Sequence, residues 1–293
     1  MKRSTFFWVA VIVCISCSTS MAIEVTIYNL QYVSDLNDTN SPYNLQLVDC
    51  TGGIVTSKSR KSVSSPWRIT VQDVNEPNEW GGIHVKDLDG TGVLDTVSVG
   101  DEVYLSNMFV EEFRGTTFLQ CITSNNPQVT VVSTDNTLPD PITVGPNDIA
   151  APQYNSGDDS WFVKDYQAEK YEGMLLKVEQ IEIVGVNQGK ADDNYVLADA
   201  NDPCQICWAS DFANVDRESS SDYHEYITLG QFYCDITGIL EQYTKRISGW
   251  DYYQLLTRKT GDIRPELEAD ITGDCAVDFE DLAVIGQYWL RGK

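Results

Sequence analysis

A β-rich unit occurs twice in this chain, and this internal repeat limits the fold more than any other feature of the sequence. The segment VSVGDEVYLSNMFVEEF (97–113) aligns without a gap with ITLGQFYCDITGILEQY (227–243), at an offset of 130 residues. The alignment places Gly100 on Gly230. Self-similarity at one fixed offset indicates two copies of the same structural unit.

Each copy contains the runs expected of five strands. The runs are short, alternating or β-branched, and Gly, Asn, Asp and Pro separate them, which is typical of small barrels or sandwiches. The first copy has GGIVTS, RITVQD, GGIHVKD, the repeated segment and TTFLQ; the second has EGMLLKVE, NYVLAD, QICWAS, the repeated segment and WDYYQLLTR. Five strands with a break after the third favour a Greek-key barrel of the OB type over a seven-stranded sandwich.

The N-terminus predicts export. Residues 1–22 combine Lys2 and Arg3 with an apolar run and a small-residue exit, which indicates a secretory signal cleaved after Ala22 and too short to span a membrane. The alternative is a lipoprotein that retains Cys17 at its new N-terminus. We expect a secreted, extracellular or cell-surface-associated protein, or a periplasmic one, with no membrane span in the mature chain.

The formal charge of −24 weighs against binding of a phosphate backbone as the main activity, since an acidic surface repels polyanions. An even number of cysteines remains after cleavage, and in an exported protein this favours disulfides. These cysteines are Cys50, Cys121, Cys204, Cys207, Cys234 and Cys275. The spacing of Cys204 and Cys207 also fits half a zinc site or a redox pair, but no second ligand pair and no thioredoxin-like helix accompanies it.

The first two strands of the first copy are joined by SKSRKSVSSPWR, the densest basic cluster of the chain. An OB barrel uses this loop to hold oligonucleotides or sugars. Lys58, Arg60, Lys61, Trp67 and Arg68 are therefore the candidate site for an anionic polymer, in which charge binds phosphate or uronate and the ring stacks on a base or sugar. The alternative is a solvated loop with Trp67 tucked into the barrel edge. The equivalent loop of the second copy, VGVNQGKADDN, has no such cluster.

No catalytic motif is present. His84 and His224 each lack a metal-ligand companion, and no G-x-S-x-G, H-E-x-x-H or phosphate-binding glycine loop occurs. The aromatic stretch GWDYYQ (249–254) fits a sugar-stacking platform, but aromatic residues along a strand favour a core position. The sequence therefore identifies no catalytic residues, and enzyme activity is the least favoured of the functions considered.

The β region resembles the tandem OB-fold region of secreted bacterial nucleases and related exported proteins. The resemblance is carried by TIYNLQY, SPYNLQLVDCTGGIVT, the ITVQD and GGIHV pair, VGDEV with EEFRGTTFLQ, the connector LPDPITVGPNDIA, YEGMLLKVE and ITGILEQY, and it covers most of residues 25–264. We expect no catalytic nuclease domain, since no stretch outside this region is long enough to hold one. The resemblance implies a role linked to nuclease activity or polysaccharide degradation.

The C-terminal stretch DITGDCAVDFEDLAVIGQYWL (270–290) has the oxygen spacing of a calcium loop, which uses positions 1, 3, 5, 7, 9 and 12. The predicted Ca²⁺ ligands are Asp270, Thr272, Asp274, the carbonyl of Ala276, Asp278 and Asp281. The helix that follows carries an apolar stripe suited to a partner surface. This stretch resembles one repeat of a type I dockerin, which implies docking onto a cohesin-like protein or cell-surface assembly.

Two departures from the dockerin pattern matter. Cys275 stands at position 6, where the family has Gly, so a left-handed turn there costs about 1 kcal/mol unless a disulfide fixes the loop. A full dockerin has two repeats, and this chain has one. A single repeat could also bind calcium weakly, pack on the second barrel, serve as a sorting tag or bind no calcium.

These observations predict a mainly β chain: two OB-type five-stranded Greek-key barrels in tandem plus a short C-terminal calcium loop-helix. The predicted divisions are a signal peptide (1–22), an N-terminal strand segment (23–43), a first barrel (44–133), a connector (134–166), a second barrel (167–264) and a dockerin-like repeat (265–293). The favoured function is a secreted, non-catalytic anchoring protein. The alternatives are an accessory binder of extracellular nucleic acid or acidic polysaccharide and, last, a carbohydrate or phosphodiester hydrolase.

Overall fold

The computed structural model describes residues 22–36, 39–60, 65–149, 152–157, 160–163, 165–188, 194–211, 213, 215, 227–245, 249–267, 269–272 and 275–291. The predicted signal peptide, apart from Ala22, lies outside these residues, as do Lys61, Asp274 and His224. Within the described part of the chain, no helix has the length and apolar character needed to cross a membrane.

Strands are the main regular structure of the described residues, and the helices there are short. The strands are β1 (Ile23–Val25), β2 (Leu47–Ser59), β3 (Arg68–Gln72), β4 (Gly82–Asp87), β5 (Glu102–Phe113), β6 (Thr116–Cys121), β7 (Gln128–Ser133), β8 (Ile142–Thr143), β9 (Pro152–Asn155), β10 (Ser160–Val163), β11 (Leu175–Gln188), β12 (Asn194–Asp199), β13 (Ile206–Ser210), β14 (Phe232–Lys245), β15 (Trp250–Leu256) and β16 (Ile263–Pro265). The α-helices are α1 (Ile27–Gln31) and α2 (Phe279–Leu290).

The first barrel closes in the order β2-β3-β4-β6-β5, with β5 pairing back onto β2. All of these contacts are antiparallel except the pairing of β4 with β6, in which Val85 lies opposite Leu119. A five-stranded ring with this order is the Greek-key arrangement of an OB fold. The mainly β fold and the OB-type barrel predicted from the sequence are therefore confirmed.

The second repeat unit closes in the same way. Its ring runs β11-β12-β13-β15-β14 and returns to β11, and β13 and β15 form the parallel pair. The segment predicted as a connector, residues 134–166, contains strands. Besides β8, which lies parallel to β11, it forms the hairpin β9–β10, and Trp161 of that hairpin contacts Trp208 on the outside of the barrel at a centroid distance of 4.8 Å.

Each barrel encloses its own apolar core. In the first, inward-facing residues such as Ile69, Val85 and Leu119 are fully buried, and α1 adds Ile27 and Leu30 to the same core. Thr26 caps α1, since its hydroxyl accepts from the amide of Asn29. The second core is formed by β11–β15 with Ile149, which comes from the short 3-10 turn Pro146–Ile149.

Candidate functional site

The basic loop of the first barrel holds Trp67 between two cations. Lys58 Nζ lies 4.5 Å from the centre of the Trp67 ring, and Arg60 Cζ lies 4.3 Å from it. Lys58 Nζ also donates to the carbonyls of Asp95 (2.9 Å) and Val97 (2.6 Å). Burial is the main cause of a lowered pKa for Lys58. Trp67 is partly buried and packs against the first core.

Arg68 belongs to a different site from the other basic residues. Its Nη1 donates to Glu241 Oε1 at 3.0 Å, and its Nη2 donates to His84 Nδ1 at 2.8 Å. The guanidinium also lies 5.1 Å from the centre of the Phe118 ring. The structure therefore brings Lys58, Arg60 and Trp67 together, whereas Arg68 joins the two barrels. Lys61 lies outside the described residues.

His84 is a structural residue of the same contact. Its Nε2 lies 3.1 Å from the carbonyl oxygen of Leu240, an acceptor, so this nitrogen carries the proton and Nδ1 accepts from Arg68. Burial, followed by the charge of Arg68, holds the pKa of His84 well below its ordinary value of 6.5. His84 is therefore neutral at physiological pH.

The second barrel covers the surface on which OB folds bind their ligands. That surface is formed by the second and third barrel strands, which are β3 and β4 here, and several of their residues contact the second unit. Besides Arg68 and His84, Gln72 Oε1 accepts from the amide of Leu175 at 3.0 Å. Gly82 and Gly173 lie so close that a Cβ on Gly82 would stand 2.1 Å from the carbonyl carbon of Gly173. This face of the first barrel is therefore an intramolecular interface.

Backbone hydrogen bonds extend the contact between the barrels. The amide of Thr244 donates to the carbonyl of Arg114 at 2.6 Å, and the amide of Trp80 donates to the carbonyl of Lys170 at 2.6 Å. At another edge of the interface, Arg258 Nη1 donates to the carbonyl of Thr56 at 3.0 Å. Because these bonds involve fixed backbone groups as well as side chains, the two barrels form one double-barrel body.

Two glutamates lie buried where this interface meets the start of the second barrel. Glu169 and Glu172 are only 3% and 1% exposed. Glu169 Oε2 accepts from Tyr253 OH at 2.6 Å, and Glu172 Oε1 accepts from the amide of Thr117 at 2.9 Å. The sequence did not single out these residues, because acidic side chains are abundant throughout this chain. The only local signal is their position directly before the buried strand β11.

The predicted calcium loop brings together part of its ligand set. Asp270 and Asp281 are both buried, and the hydroxyl of Thr272 lies 3.3 Å from an Asp270 oxygen and 3.2 Å from an Asp281 oxygen. The amide of Cys275 donates to Asp270 Oδ2 at 2.6 Å. Hydrogen bonds from backbone amides, first that of Asp278, lower the pKa of Asp281. The side chains at loop positions 1, 3 and 12 therefore lie close together.

The remaining predicted ligands have different positions. Asp278 is the N-cap of α2, and its Oδ1 accepts from the amide of Glu280 at 2.7 Å. Ala276 lies in the loop between the converged aspartates and this cap. Asp274 lies outside the described residues. A carboxylate at a helix N-terminus interacts favourably with the helix dipole, so Asp278 and Asp281 stabilise the start of α2.

One disulfide joins the loop to the second barrel. Cys275 is bonded to Cys234 of β14. Cys275 has a φ of +68°, so the left-handed turn expected at position 6 and the alternative disulfide occur together. The disulfide prediction fails for the other described cysteines: Cys50, Cys121, Cys204 and Cys207 are free thiols. Inward-facing strand positions explain the burial of three of these, since a thiol packs there as a small apolar group.

The apolar side of α2 is exposed. Phe279 and Trp289 are 86% and 85% exposed, and Leu282, Ile285 and Tyr288 are also exposed. Ile285, Tyr288 and Trp289 line a shallow groove of about 490 Å³ together with Ile271. The stripe predicted from the sequence is therefore present and covered by no other described residue of this chain. By contrast, Tyr252 and Tyr253 of the GWDYYQ stretch are buried, so this stretch is core.

No family model and no curated protein matches this chain. Solved structures do match, among them the OB domain of a Thermoplasma acidophilum protein (15% identity, 40% of this chain and 93% of that one, TM-score 0.25). A murine DNA-binding protein bound with double-stranded DNA matches at 11% identity over 72% of this chain and 93% of that one (TM-score 0.30). Fission yeast Pot1 with single-stranded DNA matches at 12% identity over 72% and 78% (TM-score 0.26). These similarities concern the fold, and the OB assignment rests on the strand pairings described above.

Proposed function

We propose that this protein is an exported, non-catalytic adaptor: a double OB barrel that carries a calcium-binding, dockerin-like tail for docking onto a partner in an extracellular assembly. The observation that carries the proposal is the exposed apolar side of α2. Soluble proteins rarely expose a contiguous apolar patch of this kind unless it binds something. An amphipathic helix that lays such a side into a groove is a common mode of protein recognition.

Calcium fits the chemistry of the loop. The donors are oxygen atoms, which a hard cation such as Ca²⁺ prefers. Asp270, Thr272, Asp278 and Asp281, with the carbonyl of Ala276, would hold the ion, and the predicted ligand Asp274 would complete the set. Bound calcium would neutralise the converging carboxylates and order the loop at the start of α2. The chain's own contribution is the convergence of Asp270 and Asp281 at the Thr272 hydroxyl.

The double barrel gives little support to ligand binding on its main OB surface. The second barrel contacts residues of β3 and β4 on this surface, among them Arg68 and Gln72. The chain is also strongly acidic. We therefore assign the barrels a structural role, as the body that presents the tail, and place recognition in the tail and its cohesin-like partner.

Calorimetric titration of the mature chain with calcium tests the first step. We expect uptake of one ion, abolished in Asp270→Asn with Asp281→Asn. The matched control is Glu280→Gln, which removes a neighbouring carboxylate that is not at a ligand position, and we expect it to bind as the parent does. No ion uptake by the parent chain at millimolar calcium would refute the proposal. Docking is then measured on a cohesin-like protein with and without calcium, using Trp289→Ala to remove a large, exposed apolar side chain.

A second candidate is binding of an anionic polymer, either nucleic acid or acidic polysaccharide, at the basic loop. It is favoured by the exposure of Arg60 beside Trp67, because an exposed cation next to an aromatic ring suits a phosphate and a base or a uronate and a sugar. This candidate predicts salt-sensitive retention on heparin or single-stranded DNA that Arg60→Ala abolishes and Lys259→Ala, a change at an exposed lysine elsewhere, does not. Retention that is equal in both variants would exclude it.

A further inference from the structure

The carboxyl groups of Glu169 and Glu172 are buried at the joint between the barrels, and buried positions are unusual for ionised side chains. Glu169 lies in the 3-10 turn Gln167–Tyr171, and Glu172 follows this turn directly. Glu172 reaches the first barrel, where its Oε1 accepts from the amide of Thr117 at 2.9 Å and from Gln31 Nε2 at 3.4 Å. Glu172 thus connects the start of the second barrel to β6 and α1. Any change in its charge acts directly on the interface.

The groups that face these carboxyls are acidic or neutral. Glu112, at the end of β5, and Asp251, on β15, add negative charge, and Tyr253 donates to Glu169. Glu112 itself accepts from the hydroxyl of Thr117. Among the described residues, no Lys, Arg or His forms an ion pair with Glu169 or Glu172; the interface cation Arg68 pairs with Glu241 instead.

The hydrogen bonding of Glu172 is also incomplete. Within the described structure, its Oε2 is buried and has no hydrogen-bond partner. An ionised oxygen without a partner is far more costly to bury than the oxygen of a neutral carboxyl group. Two neighbouring buried carboxyls that lack a counterion resist simultaneous ionisation, because each negative charge opposes the other.

The pKa directions agree with this geometry. Burial is the main cause that raises the pKa of Glu169 to about 8. Burial, followed by the charges of Glu169 and Glu112, raises the pKa of Glu172 well above its ordinary value. The hydrogen bonds from Tyr253 and Thr117 act in the opposite direction and are the smaller effect.

We propose that the barrel interface is a proton-dependent joint, closed while Glu169 and Glu172 retain at least one proton between them and loosened when both ionise. The closed state then binds more protons than the open one. Closure is therefore complete below the ordinary carboxyl range and weakens as the pH rises through about 8. On opening, the proton passes to solvent, and the two carboxylates become hydrated. Opening also exposes the β3–β4 surface that the second barrel covers.

Amide hydrogen exchange can follow the joint without unfolding either barrel. The reporters are the amides of Thr117 and Thr244, which bond across the interface, and the reference is the amide of Leu119 inside the first barrel. After correction for the intrinsic pH dependence of exchange, we expect the protection of the reporters to fall at least about tenfold between about pH 6 and pH 9, with the reference unchanged. Glu172→Gln keeps the shape of the side chain and removes its titration, so the reporter protection becomes independent of pH. The matched control, Glu179→Gln at an exposed side chain of β11, behaves as the parent.

Several results would overturn the proposal. One is pH-independent protection of the reporters in the parent chain, and another is the same pH dependence in Glu172→Gln and the parent. If Glu172→Gln does not fold, Glu169→Gln replaces it, and infrared spectroscopy of the parent tests the protonated carboxyl directly: a band that disappears near pH 8 supports the joint, and no band at pH 6 refutes it. Recovery of protection at pH 9 by calcium in a chain carrying Asp281→Asn would mean that a cation, not a proton, closes the interface.

Discussion

The disulfide between Cys234 and Cys275 holds the tail on the second barrel, and breaking it is the sharpest available perturbation of the tail. The last strand before the tail ends at Pro265, so with the barrel folded the disulfide closes a loop of about ten residues, which corresponds to about 3 kcal/mol of chain entropy. For unfolding of the whole unit the bonded residues are 41 apart, and the corresponding figure is about 4 kcal/mol.

Two substitutions distinguish the effect of the disulfide from the effect of the left-handed backbone at Cys275. Cys234→Ser removes the disulfide and leaves a cysteine at φ +68°, whereas Cys275→Gly removes the disulfide and also relieves about 1 kcal/mol of left-handed strain. We therefore expect the free energy of opening the tail to be lower than in the parent chain, by about 3 kcal/mol in Cys234→Ser and about 2 kcal/mol in Cys275→Gly.

Hydrogen exchange at the amides of Ile271 and Thr272, which both donate to Asp281, measures this opening. The expected loss of protection is about 100-fold for Cys234→Ser and about 30-fold for Cys275→Gly. Reduction of the parent chain should reproduce the Cys234→Ser result. Equal protection in the oxidised and reduced chains, or a larger loss for Cys275→Gly than for Cys234→Ser, would refute this account of the tether.

Three further predictions concern the barrel interface. Gly173→Ala places a methyl group 2.6 Å from the carbonyl carbon of Gly82 at a φ of +71°, so denaturant titration should show a loss of about 2–4 kcal/mol, and an unchanged midpoint would contradict the close approach. Arg68→Ala leaves Glu241 without its partner in a mostly buried ion pair, and should lower the free energy of unfolding by about 2 kcal/mol. Arg68→Lys should recover only part of this loss, since lysine cannot also bond His84. Full recovery would contradict the two-partner geometry. The pKa of His84 is depressed in the folded protein, so its contribution to the free energy of unfolding is present above about pH 6.5 and decreases as the pH falls. His84→Gln should therefore reduce the loss of stability with falling pH. An identical loss in the variant and the parent would contradict this.

The strands could be predicted because their signals are local. Runs such as RITVQ and GIHVK alternate between inward and outward residues, and turn residues bound them, so β3 and β4 follow from neighbouring positions alone. The acidic loop is local in the same sense: Asp270 and Asp281 are eleven positions apart, and Asp278 caps the helix that carries Asp281. The sequence predicts no strands at β9 and β10, because both are short and the residues between them, SGDD, are polar; in the structure, Trp161 of β10 contacts Trp208 of the second barrel.

The cysteine pairing could not be predicted because it depends on contacts between residues that are far apart in the sequence. An even number of cysteines in an exported chain favours disulfides, yet pairing requires that two Cβ atoms meet, which depends on the folded path of the chain. Cys50, Cys121 and Cys207 point into the barrel cores, where they pack as apolar groups. Cys275 meets Cys234 because the tail returns along β14, and nothing in the local sequence of either residue indicates this.

By itself, the sequence determined that this chain forms mainly β structure, builds OB-type barrels and ends in an acidic loop with an amphipathic helix, because periodicity, turn residues and ligand spacing act over a few residues. Only the tertiary structure decided that the second barrel covers the OB surface of the first. It also decided that Arg68 bonds Glu241 of the second barrel, and that Glu172 is buried against Gln31, 141 positions away. These contacts depend on which outward faces meet when two closed barrels pack together. A strand pattern specifies which residues point outward, but it does not specify what they face.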